Sequence, residues 1–137
     1  MDNILLIVDG GSKGNPGPIY GAYYFEIPVD DTLMVRGPYI IPFGIDGTNN
    51  EAEYKAMILG LDKLGEALDK LHIEPSDYNI AMLSDSSLAV NQILENCQIK
   101  AKKFKPLKKE VLQMLDRFHT FSIQWVPRDI TNAYLGC

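Results

Sequence analysis

The chain of 137 residues is 46% hydrophobic and 23% charged, which excludes disordered, collagen-like and coiled-coil proteins and predicts one globular domain over 1–137. A formal net charge of −5 excludes a protein that wraps nucleic acid by bulk electrostatics. Six of the 13 basic residues nevertheless fall at 100–109, where they form either a local patch for a phosphate backbone or an ordinary solvated surface.

Cysteine content and apolar run lengths predict where the protein works. Cys97 and Cys137 are too few for a disulfide framework, and neither belongs to a zinc-binding spacing. The apolar run nearest the N-terminus, 4–8, is too short for a membrane span or a signal peptide, and the acid Asp2 precedes it. We therefore expect a soluble, cytoplasmic monomer with no membrane partner.

The first third of the chain predicts three strands in a meander. The apolar run 4–8 indicates a buried strand that Asp9 closes. Four glycines and two prolines within 10–18 favour a loop. The segment 19–27, rich in Tyr, Phe and Ile, and the segment 32–43 then predict the second and third strands.

The remainder of the chain alternates between helix and strand. Thr48 or Asn49 can cap a long helix, whose apolar residues recur at steps of four and three. These residues are Met57, Leu61, Leu64, Leu68 and Leu71. The later predicted elements are a strand at 80–84, a helix that starts within 84–87 and reaches about 96, a helix at 108–118, and a strand at 121–126 whose Trp125 we expect in the core. The order βββ-α-β-α-α-β predicts an α/β fold with a mixed sheet flanked by helices.

Three acids occupy positions that a packed domain disfavours. Asp9 and Asp85 close two predicted buried strands, and Glu53 lies on the apolar stripe of the long helix, four residues before Met57. Strand ends at the rim of an open α/β sheet form a ligand site. Carboxylates brought within about 4 Å repel by about 4 kcal/mol at an effective dielectric of about 20, so the cluster predicts a magnesium site. For Glu53 alone, favourable interaction with the helix dipole is an alternative explanation.

Three motifs give the chain a specific resemblance. They are Asp9-Gly10-Gly11-Ser12 with Gly14-Asn15-Pro16-Gly17, then Thr48-Asn49-Asn50 with Glu53, then Ser84-Asp85-Ser86. In order and spacing the chain resembles type 1 ribonuclease H. This resemblance implies a ribonuclease H-like fold with a five-stranded mixed sheet, in which three antiparallel strands come first and the later strands run parallel to the first. It also implies hydrolysis of the RNA strand of RNA/DNA hybrids, leaving 5′-phosphate and 3′-hydroxyl ends.

The resemblance also implies roles for individual residues. Asp9, Glu53 and Asp85 would be catalytic and would hold two Mg²⁺ ions, which Mn²⁺ can replace. The hybrid would contact a second set of residues. For the two asparagines in this set, turn formation or helix capping is an alternative role. This set consists of Gly10, Gly11, Ser12, Asn15, Asn49 and Ser87.

The chain departs from the family pattern at the fourth metal ligand. Relatives place a carboxylate there, whereas no acid follows Asp129 in this chain. Spacing from Leu135 selects Ala133, but Asn132 has aspartate's shape and a carbonyl oxygen that binds hard cations, so we predict Asn132 as a catalytic and metal-binding residue. A neutral amide would hold its ion more weakly and lower turnover. The alternative, with Ala133 at this position, is a catalytically silent module that binds RNA/DNA hybrids.

Overall fold

The computed structural model describes residues 2–95 and 98–136, which build one mixed sheet with helices on both faces. The strands are β1 (Asn3–Ser12), β2 (Gly17–Val29), β3 (Thr32–Gly47), β4 (Asn79–Ser84) and β5 (Thr120–Trp125). The helices are α1 (Asn49–Lys70), α2 (Ser87–Ile93), α3 (Phe104–Leu115) and α4 (Arg128–Leu135). The five strands lie in the order β3-β2-β1-β4-β5. β2 is antiparallel to β1 and β3, while β4 and β5 run parallel to β1, so the predicted fold class is confirmed.

The central strand β1 continues beyond its predicted end. Its parallel pairing with β4 stops at Val8 and Ser84, but its antiparallel pairing with β2 continues to Ser12 opposite Ile19. The expected loop at 10–18 is correspondingly shorter, because glycines without side chains can still form ladder hydrogen bonds. Asp9 therefore lies inside β1, at the point where the parallel ladder ends, and not at the end of the strand.

Helix α1 packs its apolar stripe against the sheet as predicted. Thr48 caps it, with its hydroxyl accepting a hydrogen bond from the Glu51 amide at 3.3 Å. Four of the five stripe residues are buried, whereas Leu71 caps the C-terminus and is partly exposed, which corrects its assignment to the core. Gly10 of β1 allows the close approach: a Cβ there would lie 2.3 Å from the backbone carbonyl of Ala52. The first turn of α1 is thereby held against β1.

Helices α2 and α3 differ in extent from their predictions. α2 begins after its cap Ser86 and ends at Ile93, so the prediction that it reaches 96 is wrong at 94 and 95, and position 96 lies outside the described residues, as do Cys97 and Cys137. α3 starts at Phe104, four residues before its predicted start, because Pro106 lies in the first turn, where amide hydrogens have no helical acceptor. The buried ring of Phe104 stacks on Tyr54 of α1 with ring centroids 5.6 Å apart.

The opposite face of the sheet carries a smaller core under α4. Leu135 packs there with Ile7 and Ala22, and the ring of Tyr134 lies 5.3 Å from that of Tyr24. α4 follows β5 after a two-residue connection and crosses back over β1. It therefore brings its first turns close to the end of the parallel ladder. Among the described residues, no helix is long and apolar enough to cross a membrane.

Candidate metal and nucleic-acid site

The three predicted carboxylates converge at the end of the parallel ladder. Asp9 follows the last β1–β4 pair on β1, Asp85 follows it on β4, and Glu53 reaches the same point from the start of the second turn of α1. One oxygen from each of the three lies within 4.8 Å of the other two. Asp9 is only 1% exposed and Glu53 only 6%. The three acids therefore lie together in the fold, and their function as one metal site stays a prediction.

Burial and mutual repulsion raise the pKa values in this cluster. For Glu53, burial acts first and the charges of Asp9 and Asp85 add to it, which raises the pKa to about 9. Burial and then the proximity of Asp85 raise the pKa of Asp9 to about 6. The Gly10 amide donates a hydrogen bond to Oε2 of Glu53 at 3.2 Å, which opposes the rise. Without a cation, the cluster therefore holds a proton at neutral pH.

Asp85 is fixed by the segment that joins β5 to α4. The Thr131 hydroxyl donates to Oδ2 of Asp85 at 2.7 Å, and Nε of Arg128 lies 3.7 Å from the same oxygen. The indole Nε1 of Trp125 donates to the backbone carbonyl oxygen of Asp85 at 3.1 Å. These contacts use Oδ2 and the main chain, so Oδ1 stays free to bind another group.

Asn132 and Ala133 differ in the direction they face. Arg128, Thr131, Asn132 and Leu135 form one stripe of α4, spaced by three and four residues, and Leu135 packs on the sheet. Ala133 lies off this stripe and is exposed. The side-chain oxygen of Asn132 is buried and accepts no hydrogen bond from the protein. The structure thus buries the side-chain oxygen of Asn132 and leaves Ala133 exposed, and which of the two holds the fourth ligand position stays a prediction.

Buried oxygens without partners test whether the site suits a metal ion. Oδ1 of Asp9, of Asp85 and of Asn132 are all buried without a hydrogen bond, and so is Oδ1 of Asn50 on α1. Buried polar atoms are normally paired, so an unpaired one indicates a place for a water molecule or an ion. Among the described residues, the converging donors are carboxylate oxygens, which are hard ligands of the kind that Mg²⁺ and Mn²⁺ prefer.

Three of the predicted substrate residues form a hydrogen-bonded group beside the cluster. Oδ1 of Asn49 accepts from both the amide and the hydroxyl of Ser12, each at 2.9 Å. The backbone N–H of Asn49 donates to Oδ1 of Asn15 at 3.1 Å. Because the two side-chain oxygens are engaged within the protein, the side-chain NH₂ groups of both asparagines are what they can offer to a ligand. The network joins the β1–β2 loop to the start of α1.

The other predicted substrate residues do not belong to this hydrogen-bonded group. Gly10 and Gly11 are buried, and a Cβ on Gly11 would lie 2.6 Å from the Tyr20 hydroxyl oxygen, so both glycines have a packing role whatever they contact. Ser87 is the exposed first residue of α2, two positions after Asp85. The structure thus brings Ser12, Asn15 and Asn49 together and leaves Ser87 separate from that group.

Comparisons with known proteins agree with this arrangement. A family model described as reverse transcriptase-like matches residues 41–133, more than half of the chain. The N-terminal RNase H domain of Rv2228c from Mycobacterium tuberculosis, solved as a fusion with maltose-binding protein, superposes with a TM-score of 0.77 at 28% identity, over 98% of this chain and 88% of that one. The chain belongs to the type 1 ribonuclease H family.

Other relatives extend the comparison. RNase H1 from the halophilic archaeon Halobacterium salinarum has a TM-score of 0.75 at 25% identity, over 96% of this chain and 91% of that one. LC11-RNase H1 in complex with an RNA/DNA hybrid has a TM-score of 0.74 at 26% identity, over 96% and 90%. The bifunctional protein Rv2228c of M. tuberculosis is 32% identical over 129 residues, which are 91% of this chain but only 31% of that protein. The chain thus spans about a third of the length of the curated relatives it matches.

Several residues of this ribonuclease H site were missed by the sequence analysis. Thr131 and Arg128 bind Asp85, and the signal for Arg128 was its helical spacing, three residues before Thr131 and four before Asn132. Trp125 was expected in the core but is 52% exposed, which corrects that expectation: its strand is at the edge of the sheet. Gln92 of α2 is buried and accepts from the Tyr54 hydroxyl at 2.8 Å, a contact that only the packing of α2 on α1 reveals.

The basic residues at 100–109 are partly neutralised within the protein. Nζ of Lys103 lies 3.7 Å from a carboxylate oxygen of Glu51 and 5.2 Å from the ring centroid of Phe104. Nζ of Lys108 lies 3.3 Å from Glu95. These two cations have internal partners, so the patch offers less charge to a phosphate backbone than its composition indicated.

Proposed function

We propose that this chain is a metal-dependent endonuclease that hydrolyses the RNA strand of RNA/DNA hybrids and leaves 5′-phosphate and 3′-hydroxyl ends. The observation that carries the proposal is the convergence of Asp9, Glu53 and Asp85, with buried oxygens of Asp9, Asp85 and Asn132 left without protein partners. Three carboxylates this close are costly unless a cation compensates their charge. A cytoplasmic, monomeric protein remains our expectation.

The proposed cofactor is a pair of Mg²⁺ ions, for which Mn²⁺ can substitute. Bound there, the ions would lower the pKa of the attacking water and stabilise the leaving 3′-oxygen. Asp9, Glu53 and Asp85 would hold them, and the amide oxygen of Asn132 would take the place of the family's fourth carboxylate. Glu53 must lose its proton on loading because its metal-free pKa is about 9.

Residues of α4 would position the Asp85 carboxylate for metal binding. Thr131 and Arg128 hold Oδ2 of Asp85, which leaves Oδ1 directed to the ligand. An outer partner of this kind fixes the orientation of a ligating carboxylate. Asn132 carries one negative charge less than the carboxylate it would replace. The ion it touches would therefore be bound more weakly, and turnover would be lowered without being abolished.

Recognition of the hybrid is proposed for the group of Ser12, Asn15 and Asn49, together with Gly10, Gly11 and Ser87. The side-chain NH₂ groups of the asparagines are suited to the 2′-hydroxyls and base edges of a minor groove, and the 2′-hydroxyl distinguishes RNA from DNA. That a structural relative was solved with an RNA/DNA hybrid supports this assignment. Since the chain spans only 31% of its bifunctional relative, any activity of longer relatives lies outside the proposal.

Cleavage assays on labelled RNA/DNA hybrid, duplex RNA and duplex DNA test the proposal. We expect Mg²⁺-dependent cutting of the hybrid's RNA strand alone, about tenfold faster in Asn132→Asp and about tenfold slower in Asn132→Ala, in line with typical effects of metal-site residues. Asp129→Asn, an exposed acid on the same helix, is the matched control and should cut as the parent does.

The rival function is a silent module that binds RNA/DNA hybrids, favoured by the lack of an acid after Asp129. Ala133→Asp separates the two registers: a large gain there, with none in Asn132→Asp, would assign the fourth position to Ala133. A chain that binds hybrid but cuts nothing, even as Asn132→Asp or Ala133→Asp, would exclude the enzyme.

A further inference from the structure

We propose that Trp125 is a substrate-contact residue whose indole ring packs against a sugar of the hybrid strand held at the carboxylates. The inference deepens the proposed function and rests on it. Trp125 is the last residue of β5, and Val8, Ser84 and Trp125 form one row across β1, β4 and β5. The carboxylates Asp9 and Asp85 come directly after this row.

The indole is both exposed and fixed in place. Its Nε1–H donates to the carbonyl oxygen of Asp85 at 3.1 Å, while 52% of the residue stays accessible. With the only polar atom satisfied by the protein, what remains for a ligand is the apolar ring. A large aromatic surface held rigidly beside a polar site loses little conformational entropy on binding, which is why tryptophan is frequent at recognition surfaces.

Trp125 and the group of Ser12, Asn15 and Asn49 lie on opposite sides of the carboxylates in the strand order. Adjacent strands lie about 4.8 Å apart, so β5 is about 10 Å from β1, which corresponds to roughly three nucleotide steps of about 3.4 Å along one strand. The group of Ser12, Asn15 and Asn49 flanks β1 on the opposite side, towards β2. A strand whose scissile phosphate lies at Asp9 and Asp85 would therefore pass Trp125 within a few nucleotides.

The chemistry around Trp125 fits a polyanion with apolar sugar faces. Arg128, three residues later, has 65% of its side chain exposed while its Nε contacts Asp85. A guanidinium next to an aromatic ring can bind a phosphate while the ring covers the neighbouring sugar. The bases of a duplex are stacked on one another, so the sugar is the apolar surface within reach of the ring.

The chain offers a matched control on the same strand. Phe121 lies four residues before Trp125, on the same side of β5, and is 38% exposed. Four residues of strand place it about 13 Å further from the carboxylates. If exposure of an aromatic ring on β5 were sufficient for hybrid binding, Phe121 and Trp125 would contribute equally to the affinity for the hybrid. The proposal requires that only Trp125 contributes.

Trp125 is the only tryptophan in the chain, so its fluorescence reports on this position alone. In an Asp9→Asn background, to prevent cleavage, an RNA/DNA hybrid is titrated while hybrid anisotropy and tryptophan emission are followed. We expect saturable changes in both, together with protection of the emission from acrylamide quenching. Trp125→Ala should weaken hybrid binding about tenfold, Trp125→Phe should restore most of it, and Phe121→Ala should bind as the parent does.

Cleavage kinetics of Trp125 variants that retain Asp9 distinguish two roles of Trp125, contact with the substrate and support of Asp85. Contact predicts about a tenfold rise in KM for Trp125→Ala, with kcat within about twofold and Mn²⁺ affinity unchanged by calorimetry. A loss of kcat and of Mn²⁺ affinity at constant KM would overturn the proposal, because Trp125 would then merely anchor Asp85. Tryptophan emission that acrylamide still quenches in the hybrid-saturated complex would also overturn the proposal. If hybrid is bound but never cut, the proposed enzyme fails while the fluorescence result still decides the role of Trp125; if no hybrid is bound, both fail.

Discussion

Replacing Glu53 by glutamine should stabilise the metal-free protein at neutral pH while it removes a metal ligand. Burial, reinforced by the charges of Asp9 and Asp85, raises the pKa of Glu53 from 4.5 to about 9. The folded protein therefore keeps a proton on Glu53 at pH 7 that the unfolded chain has lost. Glutamine resembles the protonated acid in shape and can still accept the hydrogen bond from the Gly10 amide.

The size of the effect follows from linkage between protonation and folding. Below pH 4.5 Glu53 is protonated in both states, so the substitution changes the free energy of unfolding little. Between pH 4.5 and about 9 the folded state binds more protons, so the stability contributed by Glu53 falls by about 1.4 kcal/mol per pH unit as the pH rises. The interval from 4.5 to 7 corresponds to about 3 kcal/mol, or roughly 10 °C in melting temperature for a chain of this length.

Thermal and urea denaturation in EDTA at several values of pH between 4 and 9 measure the difference between Glu53→Gln and the parent. Glu66→Gln removes an exposed acid from the same helix and is the matched control for the loss of a carboxylate outside the cluster. Added Mg²⁺ should raise the melting temperature of the parent and not that of Glu53→Gln. An advantage for Glu53→Gln that is equal at pH 5 and pH 8, or a loss of stability at both, would refute the electrostatic reasoning.

Two further substitutions test the supports of the site. Thr131→Val should lower Mn²⁺ affinity about tenfold, measured by calorimetry, because Asp85 loses its 2.7 Å donor, and Thr131→Ser should retain the affinity; equal affinities in all three proteins would exclude a positioning role for Thr131. Gly10→Ala should lower the melting temperature, because its methyl group would overlap the backbone of α1. Gly65→Ala, where a Cβ finds its nearest neighbour at 3.5 Å, should leave the melting temperature unchanged or raise it; a Gly10→Ala protein as stable as the parent would contradict the close approach.

Much of the fold was predictable from local pattern. An alternation or run of apolar residues depends on which side of an element is buried, and that information is carried by neighbouring residues in the chain. The stripe of α1 and its cap at Thr48 were therefore predicted correctly, and so was the inward direction of Glu53. The placement of Asp9 and Asp85 after apolar runs indicated a shared site because parallel strands end at the same edge of a sheet.

Other features depend on which elements meet, and only the tertiary structure decided them. Asp9 lies inside β1 because β2 is a longer partner than β4, a fact of pairing that the residues around Asp9 do not encode. Trp125 is exposed because β5 is an edge strand, although its sequence is that of a buried one. The orientation of α4 buries the side-chain oxygen of Asn132, leaves Ala133 exposed and brings Thr131 to Asp85. The amino-acid sequence thus determined the elements and the acids, whereas contacts between residues more than 40 positions apart determined how Glu53 and Asp85 are held.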